Sequence, residues 1–262
     1  MDKEKLRRQA GGHIESLRLA GVEWLPAPVA GAAPPRWTEA ASPEAATAPL
    51  QSPATIAPAA AAVVAEISPE DKRIALQLLA QEVSKCERCP ELVVSRTRTV
   101  FADGACTAEL CFIGEAPGAD EDAQGVPFVG AAGQLLNKII VACGLKREDV
   151  YICNILKCRP PGNRTPLPDE AARCRGFLDR QLELVRPRFI CALGACAAQN
   201  LLNTTISIGK LRGRFHDYRG IPVLATYHPA FLLRSPDNKK FVWEDMKLML
   251  AKMGRPIPAK SS

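Results

Sequence analysis

The chain has 262 residues, of which 47% are apolar, with 10 cysteines, 22 prolines and a formal charge of +6. That composition is ordinary for a globular protein, and the length is ample for a buried core. No run of 18 apolar residues occurs, which excludes a membrane span. Met1–Gly12 lacks the apolar centre of a secretion signal, so a cytoplasmic protein is expected. Ten cysteines in a reducing compartment do not make five disulfides.

Residues 1–25 carry Leu6, Ile14, Leu17, Leu19, Val22, Trp24 and Leu25, the makings of a short amphipathic helix. It reads either as a frayed terminal helix or as a docking helix for an unknown protein partner. Residues 26–68 read as a disordered linker, since 25 of the 44 residues from Pro26 to Pro69 are Ala or Pro. Residues 1–68 carry a charge of −1 and the remainder +7. A basic compact domain suits a polyanionic partner.

From Pro69 onward, strands and helices alternate. Ser68 is expected to cap a helix running from Pro69 towards Ser84, with Ile74, Leu78 and Leu79 inward. Strands are predicted at Leu110–Gly114, Val150–Leu156, Arg188–Leu193 and Pro222–Thr226. Helices are predicted at Gln134–Cys143, Pro168–Val185, Ala195–Leu202 and Asn238–Met253. The pattern implies an α/β fold, a three-layer α/β/α sandwich with a central, mainly parallel four-stranded sheet. This domain would span 69–255, with a disordered tail at 256–262. In such folds ligands bind beyond the C-terminal strand ends. The unusual segments fall there: Gly114–Gly130, Asn154–Pro166 and Tyr227–Arg234.

Cys86 and Cys89 form a C-x2-C pair, and Cys158 and Cys174 lie downstream in Arg/Pro-rich surroundings. Four thiolates from separate segments can ligate zinc or an iron–sulfur cluster, and spacing leaves both open. Cys111, Cys143, Cys153, Cys191 and Cys196 sit in or beside apolar elements, where cysteine behaves as a small hydrophobe. Cys106 fits neither group.

Three strings then stand out: GEAPGADEDAQGVPFVG, NILKCRPPGNRTP and YHPAFLLR. Together with the four cysteines and LRGRFHDYRG, they resemble the family 4 uracil-DNA glycosylases, over about Ile74 to Met253. The resemblance implies a [4Fe–4S] cluster on Cys86, Cys89, Cys158 and Cys174. It implies a substrate of uracil-containing DNA, single- or double-stranded, and a monomeric, nucleoid-associated enzyme of base excision repair.

It also implies roles. A base in a stacked duplex is out of reach, so uracil must be flipped into a pocket. Phe128 is similar to the aromatic that stacks on the flipped base. Asn154 matches the amide that reads the uracil edge, offering an acceptor to N3–H and a donor to O4. His228 matches the donor to uracil O2, where negative charge develops as the base departs. Gly118 and Ala116 would shape the base-binding loop, and Gly114 and Gly130 its ends. Some related families carry Asp where this chain has Ala116, and Ala cannot act as a base. A dissociative reaction is therefore favoured, with a cationic sugar trapped by water. Glu115 is the preferred carboxylate to position that water, with Glu121 as the other candidate, unless it caps a loop N–H. Asn163 and Arg164 could orient water or a phosphate. Leu232 falls where an apolar wedge enters DNA, with Phe231 and Leu233 as alternatives. Arg234, Arg164 and Arg214 are expected DNA contacts, as are Arg159, Lys210 and Arg212.

Competing readings divide on the same residues. A non-catalytic iron–sulfur DNA-binding or electron-transfer module has no need of Phe128, Asn154 and His228. Relatives that trap uracil DNA covalently carry a histidine in an inserted basic loop, and Lys157–Pro168 has neither. A family 5 enzyme fits Glu115 and Asn154 less well.

Overall fold

The structure, a computed structural model, describes residues 67–258. The expected segment 1–25, the linker up to residue 66 and residues 259–262 of the tail lie outside the described residues. Residues 255–258 carry no helix or strand.

Ser68 caps helix α1 (Pro69–Ser84) as expected: its Oγ accepts from the Asp71 amide at 3.1 Å, and Pro69 takes the first turn. The inward face differs from the expected one. Leu79 is buried, as are Leu76 and Val83, but Ile74 is 44% and Leu78 60% exposed. Leu76, Leu79 and Val83 form one stripe at helical spacing, whereas Ile74 and Leu78 form a second stripe that faces away.

The sheet has six strands in the order β1-β3-β2-β4-β6-β5. Its four inner strands are β3 (Tyr151–Asn154), β2 (Leu110–Gly114), β4 (Phe189–Leu193) and β6 (Ile221–Thr226), all parallel. These are the strands expected from the sequence. Two antiparallel edge strands, β1 (Asp103–Gly104) and β5 (Phe215–Tyr218), raise the count from four to six. Neither has the apolar run by which a strand is read: β1 is two residues long and β5 carries His216 and Asp217.

Side chains alternate across the inner strands. Cys111, Ile113, Tyr151, Cys153, Ile190, Ala192, Val223 and Ala225 join one core, with Leu178 and Leu182 of α5 (Pro168–Val185) and Ala198 and Leu201 of α6 (Gly194–Leu202). Leu110, Phe112, Ile152, Cys191 and Leu224 join the other, with Leu136 and Ile140 of α4 (Ala131–Ala142) and Met246 and Met249 of α9 (Lys239–Lys252). Period-two alternation between two helix layers makes the three-layer sandwich. A third cluster collects Leu79, Val83, Leu92, Leu156 and Phe177 around Cys158 and Cys174. Short helices α2 (Pro90–Ser95), α3 (Ala119–Gln124), α7 (Ile208–Leu211) and α8 (Pro229–Arg234) decorate the loops. Gly114, Asn154, Leu193 and Thr226 end the parallel strands at one edge of the sheet.

Candidate active site and cysteine centre

A cavity of about 470 Å3 opens at that edge, well sized for a small planar ligand. The expected catalytic and base-binding residues all line it, together with Arg164 and Arg234. Leu232 and Arg214 do not.

The floor comes from strand ends. Asn154 closes β3, is 2% exposed, and its Oδ1 has no hydrogen-bond partner. A buried amide oxygen without a donor costs about 1–3 kcal/mol, so this atom is suited to receive a donor from a ligand. A Cβ on Gly114 would collide with Asn154 Oδ1 and the Phe128 ring. That strand can approach the two groups closely only because it ends in glycine. The Phe128 ring is buried and its centroid lies 5.6 Å from that of His228.

His228 follows β6 and caps α8. Its Nδ1 accepts the Ala230 amide at 3.1 Å. That bond places the ring proton on Nε2, the free nitrogen. Burial lowers the His228 pKa to about 4, and Arg234 adds to the effect. At neutral pH the residue is an uncharged donor.

The loop after β2 is built to be stiff. Glu121 accepts from the amides of Gly118 at 3.0 Å and of Val129 and Gly130 at 2.9 Å each. These bonds are the loop N–H capping that stood as the alternative to a catalytic role for Glu121. Asp122 likewise accepts from the Thr97 amide at 2.9 Å. Glu115 is half-buried, and burial raises its pKa against a smaller opposing hydrogen bond from Thr165. It is the lining carboxylate that no backbone amide claims.

Several expected DNA contacts are committed elsewhere. Arg164 forms a fork on Glu170, at 2.7 and 2.9 Å, which fixes the loop instead of leaving a free cation. Arg212 is forked on buried Asp245 at 2.8 and 3.0 Å. Asn163 stands at φ 55° with its Oδ1 held by Arg159 Nε at 2.7 Å. Arg214 is exposed but away from the cavity. Arg234 is exposed at the rim and makes no ion pair among the described residues. Leu232 is 1% exposed and belongs to the core, so it cannot be a wedge; Leu233 beside it is 47% exposed.

Cys86, Cys89, Cys158 and Cys174 line a second, small cavity with Arg88, Arg96, Lys157 and Arg173. No carboxylate lines it. Burial raises the thiols of Cys89 and Cys158, and that of Cys174 to about 11. Arg96 Nη1 donates to Cys158 Sγ at 3.0 Å. All ten cysteines are free. Among the described residues, no three His, Cys, Asp or Glu side chains gather closely enough to hold a single metal ion. Cys111, Cys143, Cys153 and Cys191 are buried as expected, whereas Cys196 is only half-buried. Sequence reasoning passed over Lys157, Arg147 and Gly133, whose partners lie elsewhere in the fold.

A parallel sheet with a small-ligand cavity at its carboxyl edge, lined by a buried amide and a neutral imidazole, defines an α/β protein with its site at the strand ends. The family model of the uracil DNA glycosylase superfamily matches residues 101–247. A type-4 uracil-DNA glycosylase of Thermotoga maritima is 44% identical over 176 residues, covering 66% of this chain and 91% of the relative. That of Saccharolobus solfataricus is 45% identical over 192 residues, covering 70% and 88%. A type-5 uracil-DNA glycosylase of Pyrobaculum aerophilum is less similar, 33% identical over 178 residues, 55% of this chain and 78% of the relative. The chain belongs to the uracil-DNA glycosylase superfamily and, within it, to the type-4 branch. Among the described residues, no helix is long and apolar enough to cross a membrane.

Proposed function

We infer that this site receives uracil flipped out of DNA and hydrolyses its N-glycosidic bond, leaving an abasic site for base excision repair. Glycosylase activity goes with the family; the atoms that carry it here are our assignment. The observation that bears most weight is the orphan Oδ1 of Asn154. Uracil N3–H is a donor of the right kind for it, while cytosine N3 is an acceptor and would leave it unpaired.

Phe128 stacks on the extruded base, offsetting part of the few kcal/mol that flipping costs. His228 donates from Nε2 to O2. As the glycosidic bond lengthens, electrons move to the base and O2 becomes negative. A fixed neutral donor then strengthens its bond in the transition state more than in the ground state. Glu115 faces the cationic sugar and orients the water that traps it. Ala116 supplies no carboxylate, which supports departure of the base before attack by water. Arg234 is the phosphate contact at the rim, and Leu233 is the wedge.

The cysteine cavity suits a [4Fe–4S] cluster. Four thiols, four surrounding cations and no carboxylate are the donor set of an anionic polynuclear group. A cluster is preferred to zinc because the resemblance to the iron–sulfur type of this family extends to these four cysteines. The cluster would supply a staple, tying α1, α2, the segment after β3 and α5. The protein would act as a nucleoid-associated monomer in the cytoplasm, on single- or double-stranded DNA. Residues 69–255 would be the catalytic unit and 1–68 a tether ending in a short partner-docking segment.

The test is alkali cleavage of an oligonucleotide bearing one uracil. Strand scission is expected with uracil, none with thymine in its place, and the same result after removal of residues 1–68. No scission is expected with cytosine either, and equal action on cytosine would overturn the reading of Asn154. Intact uracil substrate would overturn the function.

A further inference from the structure

The guanidinium of Arg147 makes four hydrogen bonds, and they converge on the base platform. Nε donates to Asp103 Oδ2 at 2.7 Å. One terminal nitrogen donates to Asn137 Oδ1 at 2.7 Å and to the Phe128 carbonyl at 3.0 Å. The other donates to the Pro127 carbonyl at 2.6 Å. Asp103 on β1 and Asn137 on α4 set the head in place, and the two carbonyls are what it grips.

Phe128 needs such a grip. Its φ is 54°, in the left-handed region that bulky side chains avoid. In that conformation the ring lies in the cavity beside His228. Helix α4 holds the same peptide from the other side, because a Cβ on Gly133 would collide with the Phe128 carbonyl.

We propose that Arg147 is a positioning residue for base recognition: it clamps the Pro127 and Phe128 carbonyls so that the Phe128 ring stands as a preformed stacking surface for the flipped base. This rests on the reading of Phe128 as that surface. Without the clamp, Phe128 relaxes to negative φ and the ring leaves its place. Losing one base–aromatic stack weakens base binding about 5- to 150-fold.

The experiment is a double-mutant cycle of Arg147→Met and Phe128→Ala. The ligand is an oligonucleotide whose single uridine carries a 2′-fluorine that blocks cleavage, with a thymine oligonucleotide as control. The ratio of the two dissociation constants isolates base binding from backbone binding. Arg147→Met is expected to shrink that ratio by tenfold or more in the natural background and by less than about twofold when Phe128 is already Ala. Melting temperature should fall equally in both backgrounds. An equal loss of the ratio in both backgrounds means Arg147 only braces the fold and overturns the clamp. A ratio untouched by Phe128→Ala overturns the stacking surface itself, and the clamp with it. Should Arg147→Met not fold, Arg147→Lys is measured in its place. It keeps the charge but not the fork, and the same non-additivity is expected at smaller size.

Discussion

The base cavity and the cysteine cavity sit on the same stretch of chain, Asn154 to Cys158, yet they are finished differently. Around the base cavity the protein completes its own polar bonds. Glu121 is filled by three amides, Arg164 by Glu170, and His228 Nδ1 by an amide. What remains open is the Asn154 amide, the His228 Nε2 donor, the Phe128 ring, the Glu115 carboxylate and, at the rim, Arg234. Around the cysteines the protein leaves charge unmatched. Lys157 is 1% exposed, and its ammonium donates only to the Asn154 carbonyl at 2.8 Å. No carboxylate pairs with it among the described residues. A buried cation of that kind is costly unless an anion faces it. The base site thus leaves hydrogen-bonding groups open, and the cysteine site leaves positive charge unmatched.

The largest effect that can break this contrast is loss of a cysteine. Cys174→Ser should abolish the iron content and the absorbance near 400 nm, and remove several kcal/mol of stability, since metal-site binding energy is folding energy. Retained colour and iron would remove Cys174 from the ligand set. Next is His228→Ala, which removes one transition-state donor. The expected loss in kcat is about 10²–10³-fold, with the melting temperature near that of the natural protein.

The pH dependence of His228 has a definite sign. Its folded pKa, about 4, lies below its ordinary 6.5. The unfolded chain therefore binds more protons between those values. The stability linked to this residue is present above pH 6.5 and is lost as pH falls through 4, by up to about 3 kcal/mol. Acid titration followed by circular dichroism should show His228→Gln to be less acid-sensitive than the natural protein. Single-turnover rates should stay flat through pH 6.5, and an acid limb centred there would contradict the neutral donor.

Lys157→Met tests the contrast by its sign. If the buried charge were simply unmatched, an apolar isostere would remove a desolvation penalty of several kcal/mol and stabilise the protein. A counter-ion of a negative cluster should instead cost stability and bleed iron. Colour loss on prolonged dialysis is the expected outcome, and a more stable protein with full iron would remove Lys157 from that role.

The legible parts of the molecule were contiguous strings. The loop after β2, Asn154 and His228 each lie in a short segment of unusual composition at a strand end, and the inner strands are runs of buried apolar residues. What stayed hidden depends on partners distant in sequence. Arg164 and Arg212 read as free phosphate contacts, but carboxylates 6 and 33 residues away claim them. Arg147 lies in Lys146-Arg147-Glu148-Asp149, which reads as a solvated charge run. Its grip on Pro127 and Asp103 spans 20 and 44 residues. Lys157 looked like one more cation beside Cys158, and only the fold turns it inward. No local pattern carries such pairings, because they are made by the sheet bringing loops to one edge.

The smallest expected effect concerns the rim, where Leu232 and Leu233 have opposite fates. Successive residues on a helix point about 100° apart, so a core contact at one turns the next outward. Leu233→Ala should leave the fold intact and reduce action on duplex uracil by several-fold, because the wedge helps offset the unstacking that duplex DNA demands. On single-stranded substrate, where that cost is largely absent, the rate should be unchanged. Equal slowing on both substrates would mean that Leu233 shapes the cavity instead of entering the stack. Leu232→Ala should do the reverse, lowering stability by about 2–5 kcal/mol as a core truncation with no preference between the substrates.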